Sequence, residues 1–156
     1  MKQIETLDVY GNPHKVNADN LEISVHVYGI ATDGDKVLIS PQWDGFDFPG
    51  GTANKGETHI ETLKREFREE TGYEVEPLEL LAFYTSFFHH HKRNKDYQSY
   101  LVFYRAKVIG GSLTDTGLGT DEKEYASLAK WVPLKDLKKM HHACSVNVLD
   151  ELIAKL

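Results

Sequence analysis

Gly51-Thr-Ala-Asn-Lys-Gly-Glu57, then seven residues, then Arg65-Glu-Phe-Arg-Glu-Glu-Thr-Gly-Tyr73 is the stretch from which the fold is read. Its second half predicts a helix over 58–72. Thr58-His-Ile-Glu61 has capping-box spacing, with Thr58 placed to accept from the Glu61 amide while Glu61 reaches back. Ile60, Leu63 and Phe67 form an apolar stripe, and Gly72 supplies a stop that tolerates positive φ. With Glu66 at zero around the helix, Glu70 falls at about +40° and Glu69 at about −60°. Three carboxylates therefore share an arc of roughly 100° beside the apolar stripe. Like charges at these spacings each cost roughly 0.2–0.5 kcal/mol, and these acids also crowd the negative end of the helix dipole. Hard divalent cations such as Mg²⁺ or Mn²⁺ relieve that crowding, because they take carboxylate, water and phosphate oxygens. A solvated helix face, with Arg65 paired to Glu61 at i,i+4, is the plainer alternative for three Glu taken alone.

Strand patterns surround the helix. Ile4, Leu7 and Val9 alternate weakly before the turn cluster Tyr10-Gly-Asn-Pro13. Leu21–Ala31 alternates clearly, with Ile23, Val25 and Val27 on one face. Asp33-Gly34 is a hairpin turn, Lys36–Ser40 the returning strand, and Pro41 its expected stop. Downstream, Leu78–Phe88 and Tyr97–Val108 form a second hairpin bridged by polar residues 89–96. Gly110–Glu124 is a long acidic loop rich in glycine, of a length that is usually functional. A short strand at 127–132, a short helix at 133–140 that begins with Pro133, and an amphipathic helix from about Ala143 complete the chain. In that last helix Val146, Leu149, Leu152, Ile153 and Leu156 turn inward. The whole reads as one mixed α/β domain over residues 1–156.

Composition narrows the function. The 156 residues carry 18 Lys and Arg against 24 Asp and Glu, a net charge of −6. A net acidic chain argues against non-specific binding to nucleic acid or to an anionic membrane. The single cysteine, Cys144, excludes a disulfide framework and a Cys-rich zinc site, and is expected to be a small core residue. The polar opening MKQIETLDVY and the lack of a long apolar run predict a cytoplasmic protein with no membrane span.

The pattern Gly-x5-Glu-x7-Arg-Glu-apolar-x-Glu-Glu-x-Gly-apolar resembles the Nudix box. Gly51, Glu57, Arg65, Glu66, Phe67, Glu69, Glu70, Gly72 and Tyr73 fill its defined positions, after Phe48-Pro49-Gly50. Trp131-Val-Pro-Leu-Lys-Asp-Leu137 and the strand layout extend the likeness. The resemblance implies an α/β/α sandwich with a mixed sheet. It also implies Mg²⁺- or Mn²⁺-dependent hydrolysis of a diphosphate linkage in a nucleotide derivative or nucleoside triphosphate. By position it implies Glu66 and Glu70 as the main metal ligands. Glu69 becomes a ligand through water or a base, the Gly50 carbonyl a further oxygen donor, and Glu57–Arg65 an ion pair that holds the loop to the helix. A homodimer is common among such proteins. A binding module without turnover is the alternative reading. The intact Glu57, Arg65, Glu66, Glu69 and Glu70 set argues against it, since a pure binder need not hold repelling acids. The related isopentenyl diphosphate isomerase chemistry needs a cysteine upstream of the box, and Cys144 lies downstream.

Outside the box, Glu124 and then Glu122 are the candidates for a late-loop base, against a solvated loop charge. The glycines at 110, 111, 117 and 119 suit a closing lid. Trp43, Phe46 and Phe48 are candidates for stacking on a substrate ring, with core packing the better reading for Phe48. His89-His90-His91 is expected at an exposed hairpin tip, because neighbouring strand residues point to opposite faces and cannot easily chelate one ion together. His141-His142 is placed at the start of the last helix. Tyr104, Arg105 and Lys107 are further residues within possible reach of substrate.

Overall fold

The computed structural model describes residues Met1–Leu156. Its strands are β1 (Gln3–Leu7), β2 (Pro13–Asn17), β3 (Glu22–Asp33), β4 (Lys36–Gln42), β5 (Gly45–Asp47), β6 (Gly50–Thr52), β7 (Tyr73–His90), β8 (Lys95–Gly111) and β9 (Lys130–Pro133). Its α-helices are α1 (His59–Thr71) and α2 (Leu149–Ala154). Alternation along β3 and β8 sets the layers. The two run parallel in register, from Glu22 opposite Tyr97 to Ala31 opposite Ala106. Val27 and Ala31 of β3 join Val102 and Ala106 of β8 on one face, where Leu63 and Phe67 of α1 cover them. Ile30, Leu101 and Phe103 point the other way, to Leu137, Val148 and Leu152. A sheet buried on both faces needs apolar residues at successive positions, which is why the centres of these strands read as near-continuous apolar runs. The result is an α/β/α sandwich.

Strand order is β2-β1-β7-β8-β3-β4-β5, with β6 on β3 and β9 on β4. The β1–β7 and β3–β8 pairs are parallel and the remainder antiparallel, so the sheet is mixed. Helix α1 lies flush on β3 because position 29 has no side chain. A Cβ there would stand 2.9 Å from the Phe67 ring.

Several expected boundaries move, among them the strand expected at 127–132, which is Lys130–Pro133. The central hairpin is longer than its apolar core suggests, since β7 runs to His90 and β8 starts at Lys95. Strand β4 passes through Pro41. At the Pro41–Phe46 pair the main-chain groups point outward, Phe46 bonding to His141 and Ala143 and the Pro41 carbonyl accepting from Ser127, so no ladder bond needs the missing N–H. The final helix is only Leu149–Ala154. Residues upstream of it are claimed by β5: the Ala143 amide donates to Phe46 O at 2.7 Å, and the Phe46 amide to His141 O at 2.9 Å. The inward set still packs as expected, with Leu152 buried and Val146, Leu149, Ile153 and Leu156 against the core. Residues 134–139 form a 3₁₀ helix rather than an α-helix. No helix is long and apolar enough to cross a membrane.

Candidate active site

Helix α1 begins with the reciprocal Thr58–Glu61 capping box and ends at Gly72, whose φ is 80°. Glu61 is thereby occupied at the cap, and Arg65 turns to Glu57 instead of pairing with Glu61. The guanidinium holds Glu57 with both edges, Nε to Oε1 at 2.5 Å and Nη2 to Oε2 at 2.9 Å. Glu57 also accepts from the Asn54 amide and the Thr62 hydroxyl. Bonding to Arg65, then to Asn54, lowers the Glu57 pKa to about 2. Arg65 Nη2 reaches Thr52 O at 3.0 Å, which ties the loop to the helix. Its Nη1 donates to Glu66 at 2.7 Å and to Glu69 at 3.3 Å. One fixed, planar cation therefore orients three carboxylates.

Glu66 and Glu70 are buried, and Glu69 is 41% exposed at its side chain. Burial raises the Glu66 pKa; Arg65 opposes the shift, while Glu69 and Glu122 add to it. Burial raises the Glu70 pKa further, and Glu66 and Asp47 contribute in the same direction. Ser40 Oγ at 3.0 Å and the Gly50 amide at 3.2 Å donate to the same Glu70 oxygen, Oε2. Gly51 lets the Glu66 carboxylate come close: a Cβ there would stand 2.6 Å from its carboxyl carbon.

The late loop closes the third side. Ligand oxygens of Glu66, Glu70 and Glu122 lie within 4.8 Å of one another. Of these three convergent carboxylates two are buried, and only Glu66 is paired with a cation, Arg65, which also serves Glu57 and Glu69. An all-oxygen, net negative donor set of this kind fits a hard divalent cation. Glu124, ranked first from sequence, points elsewhere: its carboxylate takes Lys92 Nζ at 2.8 Å and is 62% exposed. Within a single 3₁₀ turn, 122–124, the two acids face different ways, and the spacing alone did not decide which one faces α1.

Other candidates sort as follows. Phe46 and Phe48 are fully buried core residues, whereas Trp43 is 56% exposed. His89 is not at an exposed tip; it is buried, bonds Asp96 at 3.0 Å and stacks on His14. The strand reaches two residues further than its apolar pattern and takes His89 with it. His142 does not cap the last helix but pairs with buried Asp47 at 3.0 Å. Cys144 packs against the core, and burial pushes its thiol up to about 12. Arg105 is tied to Glu79, and Tyr104 stacks on His59. Ser40 was not foreseen. A serine in a buried strand next to a proline is unremarkable until the fold brings α1 onto it.

The family profile described as NUDIX domain matches residues 21–152. A protein of Bacillus subtilis (strain 168), named "Putative 8-oxo-dGTP diphosphatase YtkD", is 36% identical over 84 residues, 51% of this chain and 53% of that protein. The match thus spans about half the length of that relative. A NUDIX hydrolase structure from Nitrosomonas europaea superposes with a TM-score of 0.63 at 20% identity, over 85% of this chain and 87% of that one. A MutT protein from Bacillus halodurans gives 0.62 at 23% identity, over 85% and 80%. An ADP-ribose pyrophosphatase from Streptococcus suis gives 0.60 at 20% identity, over 83% and 86%. At these identities the superpositions establish the fold.

Proposed function

The chain belongs to the NUDIX family, and from that premise we propose that residues 1–156 form one hydrolase domain that cleaves a phosphoanhydride bond in a nucleotide. The observation that carries the reading is the convergence of Glu66, Glu70 and Glu122 within 4.8 Å, two of them buried. Glu66, Glu70 and Glu122 would hold Mg²⁺ or Mn²⁺, with the Gly50 carbonyl beside them. Such an ion, when bound, neutralises phosphate charge and makes water a better nucleophile. The protein supplies the positioning. Glu57 fixes Arg65, Arg65 fixes Glu66 and Glu69, and Ser40 with the Gly50 amide fixes Glu70. Glu69 is the member of the set with an exposed carboxylate, and it acts as the base. It takes a proton from the attacking water as the new P–O bond forms and the anhydride P–O bond breaks. The products are two phosphate esters, or a nucleoside monophosphate and pyrophosphate.

Nucleoside triphosphates are the first substrate class to test, because the Bacillus subtilis relative is named for one. Nucleotide sugars and ADP-linked compounds are the second. A nucleotide substrate would be met in the cytoplasm, and that is where we propose the enzyme acts. The test is a turnover screen of these compounds with Mg²⁺ or Mn²⁺, products read by chromatography, and Glu70→Gln as control. The expected result is one class cleaved by wild type and at least a hundredfold less by the variant. A nucleotide that raises the melting temperature of wild type without being consumed would instead favour the binding-module reading.

A further inference from the structure

The Glu122 segment is fastened at its two ends by different means. On the α1 side, Thr114 N donates to Thr71 O at 2.9 Å, and Leu118 is buried. Gly117 rests on the helix so closely that a Cβ would stand 2.5 Å from Glu69 O. On the far side the segment meets the β4–β5 turn. There Trp43 N donates to Tyr125 O at 2.9 Å, Ser127 N donates to Pro41 O, and Gln42 bridges Ala126. The indole of Trp43 lies flat on the Tyr125 ring, with centroids 5.0 Å apart and planes 9° from parallel. From Tyr125 the chain bonds directly back to the acid: Tyr125 N and Ala126 N both donate to Glu122 O.

Trp43 is held unusually for this purpose. Its φ of 52° lies in the left-handed region that favours glycine, and the residue is 56% exposed. A bulky residue in that conformation, offering little burial in return, marks a position kept for something other than core packing.

We propose that Trp43 is a positioning residue: its stack on Tyr125 latches segment 119–126 down, so that Glu122 reaches the Glu66–Glu70 pair. This rests on the metal-site reading above. The latch is a side-chain effect, because the Trp43 main-chain bond to Tyr125 survives substitution. Trp43→Gly removes the stack and also relieves the left-handed backbone, so global stability and site function separate. A merely structural tryptophan would lower both together.

The experiment has two readouts. Hydrogen exchange of amides 119–126, without metal, reads the latch itself. Mn²⁺ affinity by calorimetric titration reads its consequence, with Glu70→Gln as the control for the metal site. In Trp43→Gly, exchange over 119–126 is expected to quicken about tenfold while the melting temperature holds or rises. Mn²⁺ affinity should fall about 10-fold or more, as when a residue that orients a ligand is lost. Trp43→Phe should stay within twofold of wild type in both readouts. In a Glu122→Gln background, Trp43→Gly should weaken Mn²⁺ no further, since its effect runs through Glu122. Unchanged exchange in Trp43→Gly, or a loss of affinity that persists in full without Glu122, overturns the proposal. Wild type and Glu70→Gln binding Mn²⁺ alike would instead overturn the metal site, and the latch's role in it with it.

Discussion

Gly51→Ala separates the chemistry from the fold at the cost of one methyl group. The ideal Cβ at position 51 stands 2.6 Å from both the carboxyl carbon and Oε2 of Glu66, where ordinary contact begins at 3.4 Å. The carboxylate must therefore retreat by about 0.8 Å. That atom group is the far end of a flexible side chain, so the helix and strand need not move. A displacement of this order at a reacting centre costs about 10²-fold in rate. Stability should hardly change: Gly→Ala gains about 0.4–1 kcal/mol through the unfolded chain, set against a modest repacking cost. The melting temperature is expected within about 3 °C of wild type, using roughly 2–4 °C per kcal/mol for a domain this size. Gly50→Ala is the contrast, because its Cβ would stand 2.2 Å from Val27 O and 2.6 Å from Tyr28 Cα, both main chain. That variant should lose about 1–3 kcal/mol or more along with its activity. The assay is Mn²⁺-dependent turnover of the best substrate beside calorimetric melting. A folded Gly51→Ala protein with turnover within threefold of wild type would refute the placement of Glu66 at the reacting centre.

Two further predictions concern the late loop and the response to acid. Glu122→Gln should reduce turnover by about 10-fold or more, whereas Glu124→Gln, whose partner is the exposed Lys92, should stay within twofold; the kinetics of the two variants side by side decide it. Burial lowers the His26 pKa from 6.5 to about 4. The unfolded chain therefore takes up this proton first, and the stability tied to the neutral ring is complete above pH 6.5 and lost as pH falls toward 4. The loss is up to about 3 kcal/mol, at 1.36 kcal/mol per pH unit. Denaturant melts of wild type and His26→Gln should converge over that window, and parallel curves would remove His26 as the cause.

What the sequence made legible is what depends on local spacing. The α1 boundaries follow from Thr58, Glu61 and Gly72, each acting within four residues of its partner. The shared arc of Glu66, Glu69 and Glu70 follows from helical periodicity, whereas the Glu57–Arg65 pair comes from the resemblance to the box, spacing alone having offered Glu61 as the partner of Arg65. Features that depend on long-range pairing did not show. The amphipathic pattern starts near Ala143, yet β5 bonds the main chain of His141 and Ala143, and α2 starts only at Leu149. His89 reads as an exposed tip residue and is buried against Asp96, and His142, read as the start of the last helix, pairs instead with the buried Asp47. Choosing Glu122 over Glu124 required knowing how Gly117 sits on α1 and how Trp43 meets Tyr125. Ser40 became visible as a partner of Glu70 only once the helix was docked.

The most direct test of the central claim is the rate of nucleotide hydrolysis as a function of Mn²⁺ concentration, in wild type and in Glu66→Gln/Glu70→Gln. The account predicts saturable activation of wild type. In the double variant it predicts a residual rate at least a hundredfold lower, which Mn²⁺ does not restore. Equal activation curves in two folded proteins would place the cation and the chemistry away from the buried pair on α1.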